Sequence, residues 1–160
     1  MGSGKTTVAR ALARMLNCRA IDLDQLIAES ERRTPKEIIE QDGEPAFREI
    51  ETRLLREVLE QDGEQVIALG GGAWTLLGNR DLIARHKGFT VWLDAPFELC
   101  WQRIAASGHE RPLARDIAQV QVLYAERLNL YKLAALHVVA GGGQGVDELA
   151  STIVKALQRR

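Results

Sequence analysis

Met1-Gly-Ser-Gly-Lys-Thr-Thr7 is the stretch from which the rest of the chain is read. Lys5, preceded by Gly2 and Gly4 and followed by Thr6, matches the second half of a P-loop. In that loop, backbone N–H groups wrap phosphates, the lysine reaches the β- and γ-phosphates, and the Ser/Thr hydroxyl ligates Mg²⁺. Glycines let the backbone come close to the anion. The helix that follows aims its positive end at the same charge. The pattern therefore expects Gly2, Ser3, Gly4, Lys5, Thr6 and Thr7 to bind a nucleotide, with Lys5 on the transferring phosphoryl group and Thr7 near the α-phosphate. The full pattern has an earlier glycine and a buried strand, and this sequence opens inside it.

Outward from the loop, strands and helices alternate. Residues 5–16 carry Val8, Leu12, Met15 and Leu16 on one helical stripe. The spacing predicts strands at Arg19–Asp24, Gln65–Leu69, Phe89–Leu93 and His137–Ala140. Helices are expected from Pro35, with Thr34 as cap, to a stop at Gly43, and from Glu44 to Gln61. Further helices are expected around Asp81–His86, from Pro96 to Gly108, at Asp116–Ala135 and at Val146–Leu157. This alternation implies an α/β fold with a parallel sheet covered on both faces, which binds ligands beyond the carboxyl ends of its strands. At 160 residues without repeats or linkers, the chain reads as one domain spanning 1–160.

Composition narrows the partners. A hydrophobic content of 46% and a charged content of 27% are those of a globular protein. A net charge of −1 gives no footprint for nucleic acid or an anionic membrane. No apolar run approaches the roughly 18 to 20 residues that span a bilayer, so a cytoplasmic protein is expected. Cys18 and Cys100 read as buried, reduced thiols.

Several residues could carry chemistry beside the loop. Asp22 and Asp24 form a carboxylate pair at a strand terminus. Asp22 is assigned to the Mg²⁺ shell through water and Asp24 to an acceptor hydroxyl, which it can orient and relieve of its proton. The plain alternative is that Asp24 caps the next helix. Arg48 and Glu51 are i, i+3 neighbours, an arrangement that by default is a surface ion pair of little value. With Arg127 from a separate helix and Gly70, Gly71 and Gly72 at a strand end, they suit a small carboxylated, polyhydroxylated ligand. Arg111, before Pro112 in a polar loop, could close over the phosphates or remain an exposed loop arginine. His109 reads as solvated surface.

Six motifs in order resemble the shikimate kinase family over nearly the whole length: Gly2 to Thr7, Asp22-Leu-Asp24, Phe47-Arg-Glu-Ile-Glu51, Gly70 to Gly72, Arg111-Pro-Leu113 and Arg127-Leu-Asn-Leu-Tyr131. The resemblance implies a three-layer P-loop kinase fold with strand order 2-3-1-4-5. The first, central strand has no counterpart in this sequence, and a late-assigned start is the expectation. It implies ATP-dependent phosphorylation of the shikimate 3-hydroxyl on the way to chorismate, with Mg²⁺, by a monomer. By the family's pattern Lys5, Asp24 and Arg111 are catalytic, and Asp24, Arg48, Gly70 to Gly72 and Arg127 hold shikimate. Arg111 touches the phosphates as part of a lid at about 105–117, and Arg103 stacks on adenine near the turn at 141–146. The substrate region is about 24–60. A kinase of another polyol acid, such as gluconate, and a non-catalytic nucleotide-binding relative are the competing readings.

Overall fold

The computed structural model describes residues 2–106, 117–141 and 143–159. Helix α1 runs Lys5–Leu16 and buries Val8, Ala9, Ala11, Leu12 and Ala13, the stripe that the periodicity marks. It ends at Asn17 in the left-handed region, φ 54°, whose N–H satisfies late helical carbonyls. Strand β1 is only Arg19–Asp22, shorter than the sequence suggests, because helix α2 begins at once with Leu23–Glu31. Asp24 therefore lies in the first turn of a helix and does not end a strand. The cap is Asp22, which accepts from the backbone N–H groups of Asp24 and Gln25. The carboxylate pair expected at a strand terminus is thus split by a strand-to-helix turn, and the alternative of Asp24 as cap is also overturned.

Helix α3 spans Pro35–Leu59. Thr34 and Glu37 cap it reciprocally, with Glu37 N–H donating to Thr34 Oγ1 at 3.2 Å and Thr34 N–H to Glu37 Oε2 at 2.7 Å. Gly43, at φ 88° and ψ 162°, breaks it into the two helical runs that the sequence predicts on either side of that residue. Strand β2 (Gln65–Ala68) leads through the glycine triplet and a short 3-10 turn, Ala73–Thr75, into α4, Leu77–Arg85. Then follow β3 (Val91–Asp94), α5 (Phe97–Ala106), α6 (Ile117–Tyr131), β4 (Leu136–Val139) and α7 (Val146–Leu157).

The four strands form two parallel pairs, β1 with β2 and β3 with β4. Among the described residues no strand joins β2 to β3. The break falls where the order 2-3-1-4-5 places its central strand. Two apolar clusters hold the pieces. One joins α1, α7, β3 and β4 through residues such as Leu12, Leu93, Val138 and Ile153. The other joins α2, α3 and α4 through Leu23, Ile27, Ile38, Phe47, Leu55 and Leu82. Helix α1 bridges the halves, packing on β1 and β2 as well as on α7. Both cysteines are free, but only Cys100 is buried; Cys18 is partly exposed, contrary to the reading of two buried thiols. No described helix is long and apolar enough to cross a membrane.

Leu55 is fully buried in the second cluster, whereas Leu77, at the start of α4, is 65% exposed. Leu55→Ala should lower unfolding free energy by about 2–5 kcal/mol, and Leu77→Ala should change it by less than about 0.5 kcal/mol. Urea denaturation of the two variants checks this contrast.

Candidate active site

The phosphate-loop remnant is shaped by close backbone approach. Gly2 has φ +69°, and a Cβ there would collide with the Cys100 carbonyl of α5. Glycine is therefore required on two counts, conformation and space. Gly4, also in the left-handed region, is the N-cap of α1, and Val8 N–H donates to its carbonyl at 3.0 Å. Ser3 and Lys5 line the large cavity between the half-sheets. Thr7 lies exposed in the first turn of α1. Arg103, in the last turn of α5, donates from Nη1 to the Gly2 carbonyl at 3.2 Å. The residue expected near adenine thus touches the loop backbone itself.

Thr6 Oγ1 donates to Asp22 Oδ2 at 2.5 Å, while Asp22 Oδ1 accepts from Asp24 N–H at 3.0 Å and Gln25 N–H at 3.2 Å. One carboxylate therefore connects the loop to the start of α2. The hydroxyl of Thr6 keeps its lone pairs for a cation while it donates to Asp22. A single hydroxyl beside a single carboxylate fits Mg²⁺, which keeps several waters and takes phosphate oxygens as further ligands. Among the described residues there is no cluster of three or more His, Cys, Asp or Glu able to hold a metal. This site accordingly suits a cation brought with phosphates.

A second group of residues converges on the glycine triplet. Arg48 donates from Nη1 to Glu51 Oε2 at 2.8 Å, and from Nε and Nη2 to Glu44 Oε1 at 3.2 and 2.8 Å. The guanidinium also lies 5.1 Å from the Phe47 ring centroid. It rests on Gly72 so closely that any Cβ there would collide with it. At Gly70 an added Cβ would lie 2.8 Å from Asp24 Oδ1 and 3.0 Å from Glu51 Oε1. The triplet is thus a surface without side chains, across which Asp24, Glu51 and Arg48 meet. Tyr131 donates to the Gly71 carbonyl at 2.8 Å and is hydrogen-bonded by Arg127. Trp74 Nε1 donates to the Leu130 carbonyl at 2.8 Å, tying the same turn to α6.

Burial sets the electrostatics here. Glu51 is 1% exposed, and burial pushes its carboxyl up while Arg48 draws it back down. Burial opposes the Arg48 charge, yet Glu51 and Glu44 hold its guanidinium above its ordinary range. Burial also pushes the Tyr131 hydroxyl up, so it remains a donor. Arg48 is therefore a fixed, permanently charged fork, suited to a carboxylate.

The structure brings Asp24, Arg48, Gly70, Gly71, Gly72 and Arg127 to one place, and joins them to Lys5, Thr6 and the rest of the loop through Asp22. Ser3, Lys5, Gly70, Gly71 and Arg127 line the same cavity. Arg111, with Pro112, His109 and most of the lid segment, lies outside the described residues, as does Gly142 in the turn at 141–146. Sequence reasoning missed Glu44 as a second partner of Arg48, although the i, i+4 spacing was available as a signal. It also missed the Tyr131 bond to Gly71, which no local pattern announces.

Comparison with known proteins gives one answer. The shikimate kinase family model matches residues 1–158. A shikimate kinase of Ruegeria pomeroyi is 36% identical, over 100% of this chain and 82% of its own length. The crystal structure of shikimate kinase from Bacteroides thetaiotaomicron superposes with a TM-score of 0.87 at 29% identity, covering 99% of this chain and 94% of the other. The Acinetobacter baumannii shikimate kinase in complex with shikimate gives a TM-score of 0.87 at 32% identity, covering 99% and 89%. With the loop, the carboxylate at its side and the arginine on the glycine turn all in place, this chain belongs to the shikimate kinase family.

Proposed function

We propose that the protein is an ATP-dependent kinase that transfers the γ-phosphoryl group to the 3-hydroxyl of shikimate, releasing ADP and shikimate 3-phosphate. Family membership supports the reaction. The observation that carries the assignment of residues is the Asp22 carboxylate, which bonds the Thr6 hydroxyl with one oxygen and the Asp24 backbone with the other. It holds the donor side and the acceptor side in one frame.

In this reading Gly2, Ser3, Gly4, Lys5, Thr6 and Thr7 cradle the ATP phosphates, and Lys5 follows the charge of the transferring group. Arg103 serves the nucleotide side, with the turn at 141–146 beside the adenine, and Arg111 joins it from the lid at about 105–117. Thr6 and, through water, Asp22 hold Mg²⁺, which supplies neutralisation of phosphate charge when bound. Arg48 and Arg127 bind the substrate carboxylate against Gly70, Gly71 and Gly72. Asp24 orients the acceptor hydroxyl. That oxygen attacks the γ-phosphorus, the bond to the ADP oxygen breaks, and the hydroxyl proton passes to Asp24 late in a loose transition state. Glu51 is a positioning residue that fixes Arg48. The chain works as a single domain, 1–160, with its substrate region at about 24–60, as a cytoplasmic monomer.

A coupled assay should show ADP release with ATP, Mg²⁺ and shikimate but not with gluconate; turnover on gluconate alone would move the assignment to another polyol acid. Arg48→Ala should weaken shikimate binding by at least about 30-fold, since truncating one partner of a buried charge pair costs about 2–5 kcal/mol. Nucleotide binding should be unchanged, which calorimetry with each substrate separates. Asp24→Asn should lower kcat by about 10²- to 10⁴-fold while leaving the dissociation constant for ATP near that of the parent. An unaltered kcat removes Asp24 from the proton path.

A further inference from the structure

Arg48 carries more carboxylate than its binding role needs. A guanidinium presents its N–H donors in a fixed fork, and a carboxylate is held best when both of its oxygens meet two parallel donors. Glu51 Oε2 takes Nη1 at 2.8 Å, and a Cβ at Gly72 would meet Nη2, Nη1 and Cζ, so that end of the fork presses on the glycine turn. The remaining pair of parallel donors is the Nε–Nη2 edge. Glu44 covers it, with Oε1 accepting from Nε at 3.2 Å and from Nη2 at 2.8 Å.

The two glutamates are not alike. Glu51 has a side chain 1% exposed, and its Oε1 lies 3.0 Å from where a Cβ at Gly70 would be. It has nowhere to go. The Glu44 side chain is 50% exposed and holds the arginine through a single oxygen. It follows Gly43, where α3 breaks at φ 88° and ψ 162°, and so it opens the second helical run. N–H groups without intrahelical partners and the positive end of the helix favour a carboxylate there even after it has left Arg48. Release of Glu44 therefore strands no charge away from water. Charge balance asks for such a release. Arg48 and Arg127 act on Glu51 from one sign and Asp24 from the other. With Glu44, two cations face three carboxylates, and a substrate carboxylate makes four.

Resting on the reading that Arg48 binds the substrate carboxylate, we propose that Glu44 is a resident stand-in for that carboxylate, holding the Nε–Nη2 edge until the substrate displaces it. The exchange replaces a one-oxygen contact by a two-oxygen contact and keeps the guanidinium fixed throughout. It also sets specificity. A neutral polyol brings nothing that competes with Glu44 for the arginine, so it meets an edge already taken, whereas an anionic one claims it. Glu44 is thus a specificity-determining residue that acts through Arg48 and takes no part in the transfer itself.

Glu44→Gln keeps the length and the acceptor oxygen but removes the competing charge. Calorimetry on the full chain should show shikimate bound at least about 3-fold more tightly by this variant than by the parent, the scale of an ion pair at a partly exposed site. The methyl ester of shikimate, which keeps the hydroxyls and lacks the charge, should gain nothing, and neither should ATP. In steady state the gain should fall on KM for shikimate and not on KM for ATP. Glu44→Ala should change shikimate affinity in the same direction. A crystal structure with shikimate bound should place the Glu44 carboxylate beyond hydrogen-bond distance of Arg48 Nε. Shikimate bound no more tightly by Glu44→Gln, an equal gain for the methyl ester, or Glu44 still on Nε beside bound shikimate would each overturn the proposal. If Arg48→Ala binds shikimate as well as the parent does, the reading of the site falls and this inference with it. If Arg48→Ala loses binding while Glu44→Gln gains none, the inference alone falls.

Discussion

The Asp22 carboxylate stands where three requirements meet. It terminates β1, caps α2 through two backbone N–H groups, and receives the hydroxyl of Thr6 from α1. A carboxylate at a helix N-terminus is favoured by the unsatisfied N–H groups and by the helix dipole. That same favourable contact fixes where Thr6 points. The phosphate loop and the acceptor-side carboxylate, Asp24, are thereby held relative to one another by a residue that serves local folding first.

The acceptor side rests on a different constraint, the absence of side chains at Gly70 and Gly72. Arg48 is a partly covered cation held by the buried Glu51 and the exposed Glu44, and its guanidinium occupies the space a Cβ would fill at Gly72. Removing one member of such a pair leaves a buried charge without compensation, which is why buried pairs are costly to break even where they add little net stability. Here the Glu51 carboxyl, whose Oε1 lacks a hydrogen-bond partner among the described residues, is pushed up by burial and drawn back down by Arg48. Positioning of the arginine and stability of α3 are thus the same interaction.

The divided sheet relates to both. Each half is parallel and each is packed by its own apolar cluster, with α1 spanning the two. The loop sits at one end of the slot between them. Its conformation is held by contacts from helix α5, Gly2 against the Cys100 carbonyl and Arg103 on the Gly2 carbonyl.

By itself the sequence determined the alternation of elements, the span of α1, the capped start of α3, the break at Gly43 and the family, because those follow from periodicity, caps and motif spacing along the chain. It also named the residues that the fold brings together: Lys5, Thr6, Asp22, Asp24, Arg48, the glycine triplet and Arg127. It misjudged β1 by two residues, since an Asp at the end of an apolar strand is equally able to start a helix, and only the donors available to it decide. Tertiary structure alone decided that Asp22 is the cap, that Arg48 lies on Gly72 and that Tyr131 holds the Gly71 carbonyl. Those are contacts between segments up to sixty residues apart, set by packing in space and carried by no local pattern.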